Sequence, residues 1–230
     1  MRKDLKNIND LRDNLSFLLH KLNNLKELEK KKEELLRLLQ EHLESEKIDS
    51  EKLVYIGDQL SEIGYHEIKN NRRLQGILSL ISALVAYKLA NDIESASKSY
   101  KLLSNILANL ENEALSWREW DAAFIIHIIY MISEGVFREK EKEKPVKYLK
   151  NVHPLLIELA NMVNNLVKES CQVTVLEDIV KRTEEIAKKY GFENIWHTFK
   201  DILNLFIVFR TKKCDEGSGH GSNDEENAKI

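Results

Sequence analysis

Proline is almost missing from this chain: Pro145 and Pro154 are the only two in 230 residues. Glycine is scarce too, with eight in all, three of them within the last 14 residues. So few breakers favour long helices. Segments in which apolar and polar residues alternate between turn residues are also lacking, so no sheet is expected. The two cysteines, Cys171 and Cys214, form no CxxC pair. That argues against a disulfide framework and suits a reducing cytoplasm. The opening residues, MRKDLKNINDLRDN, hold no apolar stretch of the kind a secretory signal needs.

Net charge is small as well. Basic residues number 35 and acidic ones 38, and Lys213 to Ile230 alone carries two basic and five acidic residues. The body before Lys213 is therefore neutral, at 33 against 33. A neutral body gives no general field for nucleic acid. Its basic clusters, Lys30–Lys32, Arg72–Arg73 and Lys212–Lys213, are short and have acidic neighbours. Nucleic acid is an unfavoured partner on these grounds, although a nucleic-acid-associated helical subunit stays open as an alternative.

What the chain does have is helical periodicity. Its organising stretch is Ser116 to Arg138, where Ser116 and Glu119 have the spacing of a capping box. From Ala122 to Ile132 only His127 interrupts the apolar run. A helix apolar all round must be enclosed by other helices or by lipid. The run of about 11 residues covers roughly 16 Å, against a bilayer core of about 30 Å. A central core helix is expected, and no membrane.

Ahead of it, residues 1–45 lack glycine and proline, and Ile8, Leu11, Leu15, Leu18, Leu22 and Leu25 form a 3-4 seam. The register meets Glu29 and Lys32 before resuming at Leu36, Leu39 and Leu43. One long helix is expected, with a turn at Asn23–Asn24 as the alternative. The periodicity then predicts helices to about Lys69, from Arg72 to Ala90, from the Asn91–Asp92 turn to about Glu111, from Pro154 to Ser170, from a Thr174/Glu177 capping box to Gly191, and from Glu193 to Lys212. The domain reading is a coiled-coil-like helix over 1–45, a helical bundle over 46–212 and a disordered tail over 213–230.

Helical hairpins recur at about 40-residue intervals, a period found in helical repeats. Within Ile81–Leu103, the residues Ala83, Ala86 and Tyr87 precede the turn, and Ala96 and Tyr100 follow it. This segment of 23 residues resembles a tetratricopeptide junction, although the Trp-Leu-Gly-Tyr opening and the closing proline of such repeats are missing. The resemblance implies a peptide- or protein-binding scaffold. The fold class expected is all-α: an irregular bundle of about eight helices, or a tetratricopeptide-like hairpin array.

Chemistry is harder to find. Asp58, Glu62 and His66 repeat at i, i+4, i+8, as do Glu193, His197 and Asp201. Two carboxylates and an imidazole on one face can ligate a divalent metal. At 100° per residue, however, both sets lie about 160° from the apolar stripes of Leu60 and Phe199. They should face water, where a bundle metal site needs inward ligands. His127, alone in its apolar run, offers a general base or ligand, or a core histidine bonded to a carbonyl or tyrosine. A helical metal protein or enzyme using these groups is the competing reading. No phosphate loop, nucleophile elbow or zinc motif occurs. A non-catalytic, cytoplasmic interaction or scaffold protein without a cofactor is expected. Its candidate partner surface is Leu11, Leu15, Leu18, Leu22 and Leu25, for a protein or a second copy of the chain, together with Trp117 and Trp120.

Overall fold

The computed structural model describes residues 25–138, 146–168 and 176–218. Among them lie eight α-helices and no strand. They are α1 (25–44), α2 (Ser50–Lys69), α3 (Arg73–Leu89), α4 (Ile93–Ser116), α5 (Trp120–Arg138), α6 (Pro154–Lys168), α7 (Leu176–Tyr190) and α8 (Glu193–Ser218), with a short 3-10 turn at Leu149–Asn151 before α6. The all-α bundle expected from composition and periodicity is the fold.

Successive helices are joined by one repeated device. After α2, α3, α4 and α7, a single residue takes a left-handed conformation: Asn71, Asn91 and Arg118 at φ 60°, and Gly191 at φ 78°. The next N–H then reaches back five residues, from Arg72 to the Glu67 carbonyl, Asp92 to Tyr87, Glu119 to Ala114 and Phe192 to Ala187. This Schellman closure satisfies carbonyls that a helix end would otherwise leave unbonded. The same residue starts the following helix, its carbonyl accepting from Gly76, Ala96, Ala123 or Trp196. Asparagine and glycine tolerate the left-handed region; arginine is an unusual occupant.

The third of these turns corrects the expected capping box. Ser116 is the last residue of α4, not the cap of α5, and its hydroxyl donates to the Glu113 carbonyl. α4 continues past the expected end at Glu111 because Glu111 and Ala114 lie in the buried interior. At the other end of the chain, α8 runs to Ser218, beyond the expected Lys212. Asp49 caps α2, accepting from the Lys52 N–H, and Asp92 caps α4, accepting from Ser95. Thr174, half of the second expected capping box, lies outside the described residues.

α5 sits at the centre, packed against α3, α4, α6 and α8. It is the one described helix long and apolar enough to cross a membrane, and 72% of its most apolar window is buried inside the protein. Its full 19 residues exceed the apolar run that the sequence displays. What marks it as a core helix is therefore enclosure rather than length. α8 also packs on α3, which closes the bundle. α2 and α3 approach closely at Gly64 and Gly76, where a Cβ on either would come within 3.0 Å or less of the other's carbonyl oxygen.

α1 joins this core through Leu35, Leu39 and Leu43, all buried. Lys32 lies on the same stripe and is buried with them. Its ammonium sits 3.1 Å from both oxygens of Glu67 on α2 and donates to the Gln75 carbonyl at 2.9 Å. Ser79 of α3 donates to the same carboxylate at 2.7 Å. Burial pushes Lys32 below the usual lysine range, and the facing Glu67 opposes that shift. Removing one partner of such a pair leaves a buried charge without its counterion, at a cost of about 3–5 kcal/mol, whereas replacing both with apolar groups is often neutral. Lys32→Met should lower urea stability by about that much, and Lys32→Met/Glu67→Met should recover most of the loss. Equal losses in the single and double variants would show that packing, not charge pairing, holds α1.

Candidate functional site

The turn between α4 and α5 projects two tryptophans. Trp117 closes α4 and is 74% exposed; Trp120 opens α5 and is half-buried against Tyr148, ring centres 6.2 Å apart. Between them, Arg118 holds the left-handed conformation described above. Beside this corner lies a cleft of about 560 Å³. Its walls include Arg118, Trp120 and Asp121 from the start of α5, and Tyr190, Phe192 and Asn194 from the turn into α8. The segment before α6 forms another wall at Asn151, fixed where Asp121 accepts the His153 N–H at 2.8 Å. The cleft thus combines exposed aromatic faces with hydrogen-bonding groups.

Deeper along α5 lies a buried polar cluster that the sequence showed only through His127. Glu111 of α4 accepts a hydrogen bond from the Tyr148 hydroxyl at 2.7 Å. The His127 Nδ1 lies 3.4 Å from the same Glu111 oxygen, within ion-pair reach but without hydrogen-bond geometry. Phe124 and Tyr130 flank the imidazole, with ring centres 6.0 and 6.4 Å away. Burial, then the bond to Glu111, holds the Tyr148 phenol well above the usual tyrosine range. Neither Glu111 nor Tyr148 falls near His127 in sequence, so spacing could not have exposed them. The cluster ties α4, α5 and the segment before α6 together.

The two carboxylate–histidine stripes are exposed. Asp58 accepts from the Tyr87 hydroxyl at 2.8 Å, while Glu62, His66, Glu193, His197 and Asp201 all lie on the surface. Among the described residues no group of three or more His, Cys, Asp or Glu side chains is placed to hold a metal ion. Several basic residues have internal partners: Lys32 with Glu67, Lys31 with Gln59, Arg72 with Glu29 at 2.7 Å, and Arg73 with Glu113 at 2.5 Å. Of the N-terminal seam, Leu11, Leu15, Leu18, Leu22 and the Asn23–Asn24 pair lie outside the described residues, and Leu25 is half-buried at the start of α1.

Two measurements follow from this geometry. A tyrosine whose folded pKa is raised stabilises the fold fully below its unfolded value of about 10, and the contribution disappears as pH rises through the folded value. Stability should therefore fall as pH rises above about 10, less steeply in Tyr148→Phe; an unchanged slope would contradict the raised phenol. At the turn, relieving a non-glycine left-handed residue gains roughly 1 kcal/mol. Arg118→Gly should therefore be the more stable protein in urea, and a loss of stability would mean that the arginine side chain holds the corner.

No family model, curated protein or solved structure matches this chain.

Proposed function

We propose that this chain is a non-catalytic protein-interaction module whose partner docks at the corner formed by Trp117 and Trp120. The observation that carries the reading is the exposure of Trp117 beside a cleft of about 560 Å³. A large aromatic side chain left in water costs burial free energy that a partner recovers, and tryptophan is enriched among interface residues that dominate affinity. The cleft wall adds aromatic area from Trp120 and Tyr190 and polar groups from Asn151 and Asn194. That composition suits the side chains of an inserted loop or extended peptide, with the polar groups fixing its register.

The same hairpin device supports a scaffold. Repeated short closures place helix ends, rather than helix faces, at the surface beside the cleft. Neither competing reading has comparable support. Catalysis through His127 would need access that a 4% exposed side chain does not have. Nucleic-acid binding would need a free basic stripe, whereas Lys32, Arg72 and Arg73 face carboxylates within the chain. A cytoplasmic setting belongs to this proposal and rests on the absence of a cysteine framework.

The test is affinity capture of cross-linked partners from native cells with three tagged full-length forms: unaltered protein, Trp117→Ala and Tyr55→Ala. Tyr55 is an exposed aromatic on α2 and serves as the remote control. One partner should be recovered equally by the unaltered protein and Tyr55→Ala. With Trp117→Ala its recovery should drop about tenfold or more, as for a dominant interface tryptophan. Equal recovery by all three forms removes the corner from the interface.

A further inference from the structure

One wall of the cleft is held more lightly than the rest. Trp120 to Ala122 and Asn194 to Ile195 stand in the first turns of α5 and α8, and Arg118 and Gly191 lie in the closed turns ahead of them. Asn151 instead belongs to residues 146–153, whose regular structure is one 3-10 turn. Val152 is the one buried side chain of this segment, and Lys147, Leu149, Lys150 and Asn151 are exposed. Backbone with so little buried around it opens more readily than packed helix. The segment is tied to the bundle by the His153 N–H on Asp121 at 2.8 Å and by the Tyr148 hydroxyl on Glu111 at 2.7 Å. The Tyr148 ring also packs against Trp120 and edge-on to Phe124, with ring centres 6.2 and 6.4 Å away.

The inner of these bonds has a rival. The Glu111 oxygen that accepts from Tyr148 also lies 3.4 Å from the His127 Nδ1. That nitrogen is buried and has no hydrogen-bond partner. Buried polar atoms without a partner are rare in folded chains, because each keeps its full desolvation cost. Releasing Tyr148 alone would add a second such cost, a buried carboxylate short of one donor. Turning Glu111 to His127 removes both at once. With its proton on Nδ1, the imidazole donates to the oxygen that Tyr148 vacates. A shift of about 0.5 Å brings the two atoms to an ordinary hydrogen-bond distance.

We propose that residues 146–153 are a strap with two states, closed with Tyr148 on Glu111 and released with Glu111 on His127. The exchange of partners inside the bundle keeps the two states close in free energy, so that both occur in the folded protein. Release carries Tyr148 off Trp120 and withdraws Asn151 from the cleft, which widens and leaves a second tryptophan open to solvent. The His153 N–H on Asp121, beside the start of α6, is the hinge end and stays bonded in both states. That the widening admits a partner rests on the docking reading above; the strap itself does not.

Hydrogen exchange of the full-length protein, read by mass spectrometry, tests the strap without any partner. The closed strap bonds the Asn151 and Val152 amides, and α5 serves as the internal reference. Tyr148→Phe should speed exchange of the strap amides about tenfold, as for the loss of a bond to a charged acceptor. His127→Leu should slow them severalfold, because release then strands Glu111. The double variant should exchange like Tyr148→Phe alone, since the two residues act only by competing for one carboxylate. A histidine that merely fills the core would instead speed the strap when replaced, and its effect would add in the double variant. Either of those results overturns the proposal, as does an unchanged strap in Tyr148→Phe. Should His127→Leu loosen the body, seen as faster exchange in α5, Tyr148→Phe decides alone. Speeding confined to the strap then supports the proposal, and equal speeding of strap and α5 overturns it. Failure here leaves the capture test of the tryptophan corner standing, and failure there leaves the strap.

Discussion

The constraint on which the structure depends is that α5 has no face for water. Ala122 to Ile129 are buried without a break, and Ile132 to Val136 follow. An amphipathic helix can be satisfied by one neighbour, whereas a helix buried all round needs a ring of them. α3, α4, α6 and α8 supply that ring. α3 is itself almost fully buried, so α2 must cover it in turn, and α1 lies over both. The layered order of the bundle follows from two helices with too little polar surface.

Apolar packing of this kind tolerates sliding, and the buried polar groups restrict it. Lys32 reaches its carboxylate only if α1 lies at one height along α2, and Ser79 must come level with both. Glu111 likewise fixes the height of α4 against the Tyr148 segment. Such pairs contribute little net stability, because desolvation offsets much of the attraction. Their effect is to make misregistered packings costly, since each would strand a buried charge. The mid-helix serines do not add to that cost: Ser82 and Ser133 donate to carbonyls four residues back and need no partner on another helix.

The fold class was legible in the sequence because it depends on periodicity and on the scarcity of breakers. The turns at Asn71, Asn91 and Gly191 were legible for the same local reason, as these residues tolerate the left-handed region. The turn at Arg118 was not, because arginine carries no such signal and Ser116 with Glu119 imitates a helix start. Lys32 illustrates a second limit. It interrupted a leucine seam and looked like a gap, yet it occupies the buried stripe because Glu67, 35 residues away, waits opposite. Only tertiary pairing gives a charged residue an interior position. The cleft was legible in part: Trp117 and Trp120 stood out, but the walls from Asn151 and Tyr190 come from distant segments.

The unusual arginine sets the turn between α4 and α5 apart from the other three. A glycine or asparagine would close α4 at lower backbone cost, as Gly191 and the two asparagines do at the equivalent turns. Keeping arginine there costs on the order of 1 kcal/mol, and nothing in the bundle interior recovers it, because the side chain is exposed. The turn keeps it in place through its backbone, where the Arg118 and Glu119 N–H groups bond the Leu115 and Ala114 carbonyls. Trp117 departs from economy in the same direction, leaving most of a large aromatic surface in water one residue away. The strained Arg118 lines the cleft, and Trp117, the most exposed of the large hydrophobic side chains among the described residues, stands beside it.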